Sequence, residues 1–370
     1  MTSLVFITLW ILSLVLMFFQ NKSIKINDFR ISGRLFYLFV ISGSLFIVSG
    51  FRSANVGNDT WNYAMNVFPY IQSFSSIGDL LLDDVQTGKV YWSIFYFLSS
   101  FSKSPQIYIL GESFLIVFCM AFYVYKATKN VGIAVFIFLC SFFVTSMTAA
   151  RQYTGIVLAA NALLFLHKDL KSIIGWTLVC MSISIHAVNV TIILAILGIL
   201  LARSVFSAYR LFFITCGITL FIGIMVELLL PIVLTFIFTD YIGYLNTDWD
   251  QNVLVGQAGY GFGILALHTV FLLFIILFCM RATQKDCESL EYALLPAVSV
   301  AAVGGILFHD NMVMPRCFYG LDFLMISFLP ACLNKFSGIK YYLLLAILII
   351  GISIGYFRVF LVNDYTYSFY

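Results

Sequence analysis

Four of the polar stretches that interrupt this largely apolar chain carry side chains that suit one chemistry: holding a phosphate while a proton moves. The first is FRSANVGNDTWNY, residues 51–63. Gly57-Asn58-Asp59-Thr60 is turn chemistry followed by a helix start. Arg52 carries a planar fork of donors that matches phosphate oxygens. Asp59 is a candidate base, or an orienter of that arginine. Simpler readings stay open: Asp59 as a helix N-cap, Arg52 as a snorkelling side chain. The second stretch is Arg151-Gln152, between two apolar runs: a second clamp, or a cap on the preceding helix. The third is His186, closing MSISIHAVN. Its near-neutral pKa suits a proton acceptor, although a histidine at a helix junction also serves structure. The fourth is HDNMVMPRCFY, residues 309–319. There Arg316 reads as a further anion contact with His309 nearby for proton transfer, or the stretch is an ordinary polar loop.

Other ionisable groups are secondary. Glu112, Glu227 and Asp322 lie within apolar runs. They could pair with Arg52, Arg151 or Arg316 and hold them in place, or serve structure alone. His167 and His268 are assigned to structure. Asp248 and Asp250 flank Trp249 and resemble carboxylates that hold a divalent cation against phosphate. They are the alternative to the main expectation, a site with no metal and no cofactor.

The elements that position these groups follow from composition. The chain has 370 residues, 62% hydrophobic and 10% charged, with mean hydropathy +1.02. Soluble domains carry roughly 25% charge, so this chain belongs in lipid. The fold expected is an all-α integral membrane protein, one polytopic domain over residues 1–370. About twelve apolar runs fit membrane helices: 2–19, 35–51, 106–125, 131–149, 152–167, 172–186, 187–202, 210–230, 260–280, 291–308, 316–333 and 341–358. Pro231 is expected to end its helix, leaving 232–238 along the interface. Residues 90–102 are too short to cross and read as an interfacial or re-entrant helix. The N-terminal run has no basic residue before it and no small-residue cleavage site. It reads as a retained span, not a signal peptide. The eight cysteines form no CxxC and read as buried thiols.

Basic residues sort these runs. Cytoplasmic loops are rich in Lys and Arg. With the N-terminus outside, the inner loops collect Lys22, Lys25, Arg30, Arg34, Lys126, Lys129, Lys168, Lys171, Arg203, Arg210, Arg281, Lys285, Lys335 and Lys340. The outer side keeps Arg52, Lys89, Lys103, Arg151, Arg316 and Arg358. Topology therefore gathers three arginines, His186, His309 and Asp59 on one face. Isolated ionisable groups near a membrane are costly unless paired or functional. Two outer loops stand out by length, 52–89 and 239–259.

In order along the chain, RSANVGNDTWNY, then ARQ, then His186, then HDN…PR…Y resembles the EpsG-like branch of the Wzy-type bacterial polysaccharide polymerases. The sharpest part is R-S-x-x-V-G-x-D-T-x-x-Y, here Arg52, Ser53, Val56, Gly57, Asp59, Thr60 and Tyr63. The likeness runs from about residue 35 to 333. It implies a GT-C-like membrane glycosyltransferase of the bacterial inner membrane, with its site on the periplasmic face. Such enzymes join oligosaccharide repeat units carried on polyprenyl diphosphate into O-antigen, capsule or exopolysaccharide. Implied partners are those lipid-linked units, membrane lipids, a flippase and a chain-length regulator. On this reading Arg52, Arg151 and Arg316 bind diphosphate. Asp59, His186 and His309 are the catalytic candidates. Gly57, Thr60, Tyr63, Gln152 and Tyr319 support them.

Three rival classes share features. A flippase for lipid-linked units would want basic residues through the membrane interior, where this chain is nearly uncharged. A glycan ligase would share outer arginines and a histidine, but with a larger outer loop. A membrane O-acyltransferase would want a histidine deep in the bilayer, and only His268 answers. No nucleic-acid site or nucleotide loop is visible.

Overall fold

The computed structural model describes residues 2–26, 29–83, 88–202, 207–237, 249–309 and 314–362. The chain opens with α1 (Thr2–Met17), a small antiparallel hairpin of β1 (Ser23–Ile26) and β2 (Phe29–Ser32), and α2 (Gly33–Gly50). Ser23 pairs with Ser32 and Ile26 with Phe29 in that hairpin. Short helices follow: α3 (Asn58–Asn62), a π-helical turn (Tyr63–Val67), α4 (Phe68–Gln72), α5 (Ile77–Leu82) and α6 (Lys89–Leu98). Then come α7 (Pro105–Ala127), α8 (Val131–Ser141), α9 (Phe143–Thr148), α10 (Ala150–Lys168) and α11 (Ile173–Ile185). A 3-10 turn (Ala187–Thr191) leads into α12 (Ile192–Ala202) and α13 (Ala208–Ile237). The remainder is α14 (Trp249–Arg281), a 3-10 turn (Gln284–Glu288), α15 (Leu290–Leu307), α16 (Met314–Asp322), α17 (Met325–Leu333) and α18 (Gly338–Val362).

Local chemistry sets several starts. Ser32, Ser104, Ser172 and Ser289 each accept from a backbone N–H in the first turn of α2, α7, α11 and α15. These caps satisfy donors that no helix can pair internally. Pro105 at the first position of α7 needs no donor there. The core is built around α8, where Val131 to Cys140 are all buried. One amide in the first turn of that helix is satisfied from outside it: Gly132 N–H donates to Gln20 Oε1 at 2.7 Å. A second core forms under residues 64–109, with Phe68, Tyr91, Trp92, Phe95 and Tyr108 among its buried members. Within the expected outer loop 52–89, the described residues thus pack as a cap.

Six helices are long and apolar enough to cross a membrane among the described residues. They are α2, α7, the first part of α13, the second part of α14, α15 and most of α18. The pair α16–α17, bent by 43°, makes a seventh if it counts as one span. The chain is therefore an all-α multi-pass membrane protein, apart from its one short hairpin. Other expected runs became shorter helices: α1, α8, α11 and the 187–202 segment. The 131–149 run breaks at Phe142 into α8 and α9, and α10 has the length but lacks the apolarity. At ten residues, α6 spans about 15 Å, too short to cross, as expected.

Two expectations fail. Pro231 does not end its helix, because α13 continues to Ile237. A proline removes one hydrogen bond from a helix, and the turns on either side keep theirs. The 239–259 stretch is not loop throughout, because α14 begins at Trp249. Residues 249–281 contain no proline, and nothing stops the helix extending outward. The eight cysteines are free thiols.

Candidate functional site

The site end of the bundle is organised by one buried cation. Arg52, directly after α2, is 1% exposed. Its Nε donates to Val56 O at 3.3 Å. Its Nη1 donates to Ser49 O at 2.6 Å and Ser113 Oγ at 3.0 Å. Its Nη2 donates to Thr60 Oγ1 at 3.2 Å and Glu112 Oε2 at 3.1 Å. All five N–H groups of a guanidinium are thereby matched. Glu112 accepts from Tyr91 and Tyr108 through its other oxygen. A buried ion pair survives in a dry core only with such complete satisfaction.

That network fixes the turn that follows. Thr60 Oγ1 donates to Met147 O at 3.1 Å, pinning the 57–60 turn to the end of α9. Gly57 has φ +98, a conformation that favours glycine. A Cβ there would also sit 2.5 Å from Met147 O. Asp59, one residue before Thr60, sits in the first turn of α3. Arg151, four residues beyond Met147, is set in the first turn of α10. The same clamp thus locates an acid on one element and a cation on another.

The charged groups meet here. Asp59 lies within electrostatic reach of Arg316 and Arg151. Its carboxyl is raised above the usual range: enclosure by its neighbours raises it more than the guanidiniums of Arg316 and Arg151 lower it. Arg151 lies over the Tyr63 ring, 5.7 Å from its centroid, a cation–π arrangement. Tyr63 packs edge-on against Trp92 at 5.4 Å. Enclosure raises the Tyr63 phenol, and Arg151 opposes the rise. His186 caps the end of α11 in extended conformation. Burial first, then the charges of Arg151 and Arg316, push its pKa down to about 4. Its imidazole is therefore neutral near pH 7, and Nδ1 is buried without a hydrogen-bond partner.

Backbone contacts lock these elements together. Gln152 Nε2 donates to Arg316 O at 2.7 Å, tying α10 to α16. Asn189 Nδ2 donates to Gln152 O and Ser182 O, both at 3.3 Å. Tyr153 and Tyr319 rings lie 6.0 Å apart across the same α10–α16 contact. Gly88 has φ +76, and a Cβ there would lie 2.9 Å from Ile185 O and 3.4 Å from Arg151 Nη1. Its bareness lets the cap close over Arg151 beside His186.

The family model for the EpsG family matches residues 34–370. The chain belongs to the EpsG family. No curated protein and no solved structure matches it. Membership and the apolar helices together make this a multi-pass membrane protein of the polysaccharide-polymerase type.

Within this EpsG-family chain, the sequence-selected residues divide. Asp59, Tyr63, Arg151, His186 and Arg316 come together, with Gly57, Thr60, Gln152 and Tyr319 behind them. Arg52 does not face a ligand: its donors are spent inside the protein, so the expectation that it binds diphosphate is corrected. His309 stands at the end of α15 with Nδ1 against Ile306 O at 2.9 Å. Asp322 pairs with His268 at 3.0 Å, not with an arginine. Glu112 does pair with Arg52, as one reading allowed. Asp248, Asp310 and Asn311 lie outside the described residues, as do the side chains of Asp250 and Glu227. Sequence reasoning missed Gly88, Trp92 and Asn189. The Gly88 signal was present, a lone glycine between a polar loop and an aromatic helix, but its partners are distant in sequence.

Proposed function

We propose that this chain is a membrane glycosyltransferase that polymerises polyprenyl-diphosphate-linked oligosaccharide repeat units into a surface polysaccharide. The supporting observation is the convergence of Arg151 and Arg316 with Asp59 and His186, from four separate stretches, at one end of the bundle. The donor is the growing glycan on its polyprenyl diphosphate. The acceptor is a hydroxyl on the non-reducing sugar of another lipid-linked unit. The acceptor oxygen attacks the anomeric carbon, and the bond from that carbon to the diphosphate oxygen breaks. Charge develops on the leaving diphosphate, and the fixed guanidiniums of Arg151 and Arg316 lower the barrier. Arg52 acts at one remove, holding the turn that carries Asp59 and the start of α10.

His186 takes the acceptor proton. Burial and two cations keep it neutral, so its lone pair can accept a proton. A bound diphosphate neutralises those cations and raises its pKa, strengthening the base once substrate is in place. Asp59 is the counter-ion that orients the two arginines. The site faces the outside of a bacterial cytoplasmic membrane, since the lysine-rich loops lie at the other end. The architecture is GT-C-like, and the chemistry requires neither metal nor cofactor. Flippase and chain-length regulator are the expected partners.

The test is reconstitution. Purified protein in nanodiscs receives a defined polyprenyl-diphosphate oligosaccharide without added metal, and products are resolved on a gel. A ladder spaced by one repeat unit is expected. A ladder only with divalent ion would move attention to Asp248 and Asp250. No ladder, with movement of the unit across vesicle membranes, would replace polymerisation by transport.

A further inference from the structure

The opposite end of the bundle holds a polar cavity of about 560 Å³. Helices α2 and α7 show that it is opposite. Arg52 follows α2 and meets Glu112 near the start of α7, whereas Arg34 begins α2 and meets Tyr125 at the end of α7. With 18 residues, α2 separates the two ends by about 27 Å. The cavity is lined by Arg34, Lys126, Lys129 and Lys335 against Asp286 and Glu291. Lys335 is taken up by an ion pair with Asp286. Three cations then face one carboxylate.

Protein contacts position the cations and leave part of their charge facing the cavity. Arg34 is fixed by Nη2 donating to Thr128 O at 2.8 Å and Tyr125 O at 3.2 Å. Its Nε is buried with no hydrogen-bond partner. Lys126 lies over the rings of Phe122 and Tyr125, at 5.9 and 5.7 Å, and both lysines are exposed. Aromatic rings beside cations mark the level where a bilayer meets water.

The surface leading from the cavity is apolar. On α7, Phe114, Phe118 and Phe122 recur every four residues and are 51%, 39% and 45% exposed. That spacing puts them on one face. On the adjoining α2, Leu35 and Phe39 are 52% and 78% exposed. A free anion would have no use for these rows, whereas acyl chains would lie along them.

We propose that this cavity binds the phosphate headgroup of an anionic phospholipid, with its acyl chains along the exposed faces of α2 and α7. The site is separate from the diphosphate site and does not depend on the reaction assigned there. A lipid so placed bridges α2, α7, α15 and α17 at the ends remote from the reacting groups.

Native mass spectrometry of the full-length protein tests this. Detergent-purified protein is titrated with phosphatidylglycerol or phosphatidylcholine. Phosphatidylglycerol is expected to bind more tightly. Each surface lysine contributes about fivefold to anionic-lipid affinity. Lys126→Gln with Lys129→Gln should therefore weaken phosphatidylglycerol about 25-fold and leave phosphatidylcholine unchanged. Lys168→Gln with Lys171→Gln, which removes two positive charges from a different loop, should change neither. If the double variant does not purify, Lys129→Gln alone should lose about fivefold. Equal binding of both lipids, unchanged binding in the cavity variants, or an equal loss in the Lys168/Lys171 control would overturn the proposal. Displacement by soluble glycerol phosphate at matching concentration would also overturn it, by showing a free-anion site.

Discussion

Arg52 and Arg151 have similar sequence surroundings, yet their replacement should fail in different ways. Arg52→Gln removes a guanidinium whose five donors are all used. Glutamine restores at most two of them. Glu112 keeps its tyrosine partners on one oxygen but loses the only cation paired with it among the described residues. Removing one member of a buried ion pair costs about 3–5 kcal/mol, a large share of a typical folding stability of about 5–15 kcal/mol. The midpoint of heat-induced aggregation in detergent should fall on the order of 5–10 °C. Glu112→Gln should fall similarly, and the double variant by clearly less than the sum, because the two residues act as one unit. Arg151→Lys should melt like the wild type, while polymer formation drops roughly 10²–10³-fold, as for loss of one charge-stabilising donor. The reasoning would be refuted by an Arg52→Gln protein that melts normally yet makes no polymer. Such a protein would mean that Arg52 contacts substrate.

Three further outcomes follow from the same geometry. Gly57→Ala places a Cβ 2.5 Å from Met147 O at φ +98, and should lower both melting midpoint and polymer yield; a wild-type melt would show that the turn can relax. Gln152→Leu removes the donor to Arg316 O, worth about 1 kcal/mol, and should reduce turnover more than thermal stability, measured side by side. His186 should set the acid limb of kcat/KM near pH 4, its position in the free protein. The acid limb of kcat should lie higher, because bound diphosphate offsets Arg151 and Arg316. Its sign for stability is also fixed. The unfolded chain takes up this proton near its ordinary pKa of 6.5 and the folded chain only near 4. Neutral His186 thus contributes full stability above about 6.5, lost as pH falls towards 4.

Much of the fold is legible without coordinates because lipid imposes a simple rule. A chain in hydrocarbon must satisfy its backbone internally, so long apolar runs become helices. All twelve runs carry helix, and the basic loops mark the end away from the site. What periodicity does not show is where a run breaks. Phe142 and the Asp322–Met325 bend lie inside runs that read as continuous, and the breaks depend on what packs there. The helical continuation through Pro231 was likewise hidden, because a proline removes one backbone donor without obliging the helix to end.

Residue types and order along the chain were enough to nominate Asp59, Arg151, His186 and Arg316 as candidates, since cations and a histidine are costly beside lipid and few in number. Gly57 was legible for the same local reason, a turn that needs positive φ. The role of Arg52 was decided only in three dimensions. Whether an arginine faces a ligand or a carboxylate depends on a partner 60 residues away on another helix, and no local pattern encodes that distance. The same holds for Gly88 beside Arg151, for His268 with Asp322, and for the basic cavity that assembles Arg34, Lys126 and Lys335 from three helix ends far apart in sequence. Sequence sets which groups can be charged and which segments must be helical. Tertiary packing alone sets which charges are satisfied within the protein and which remain for a ligand.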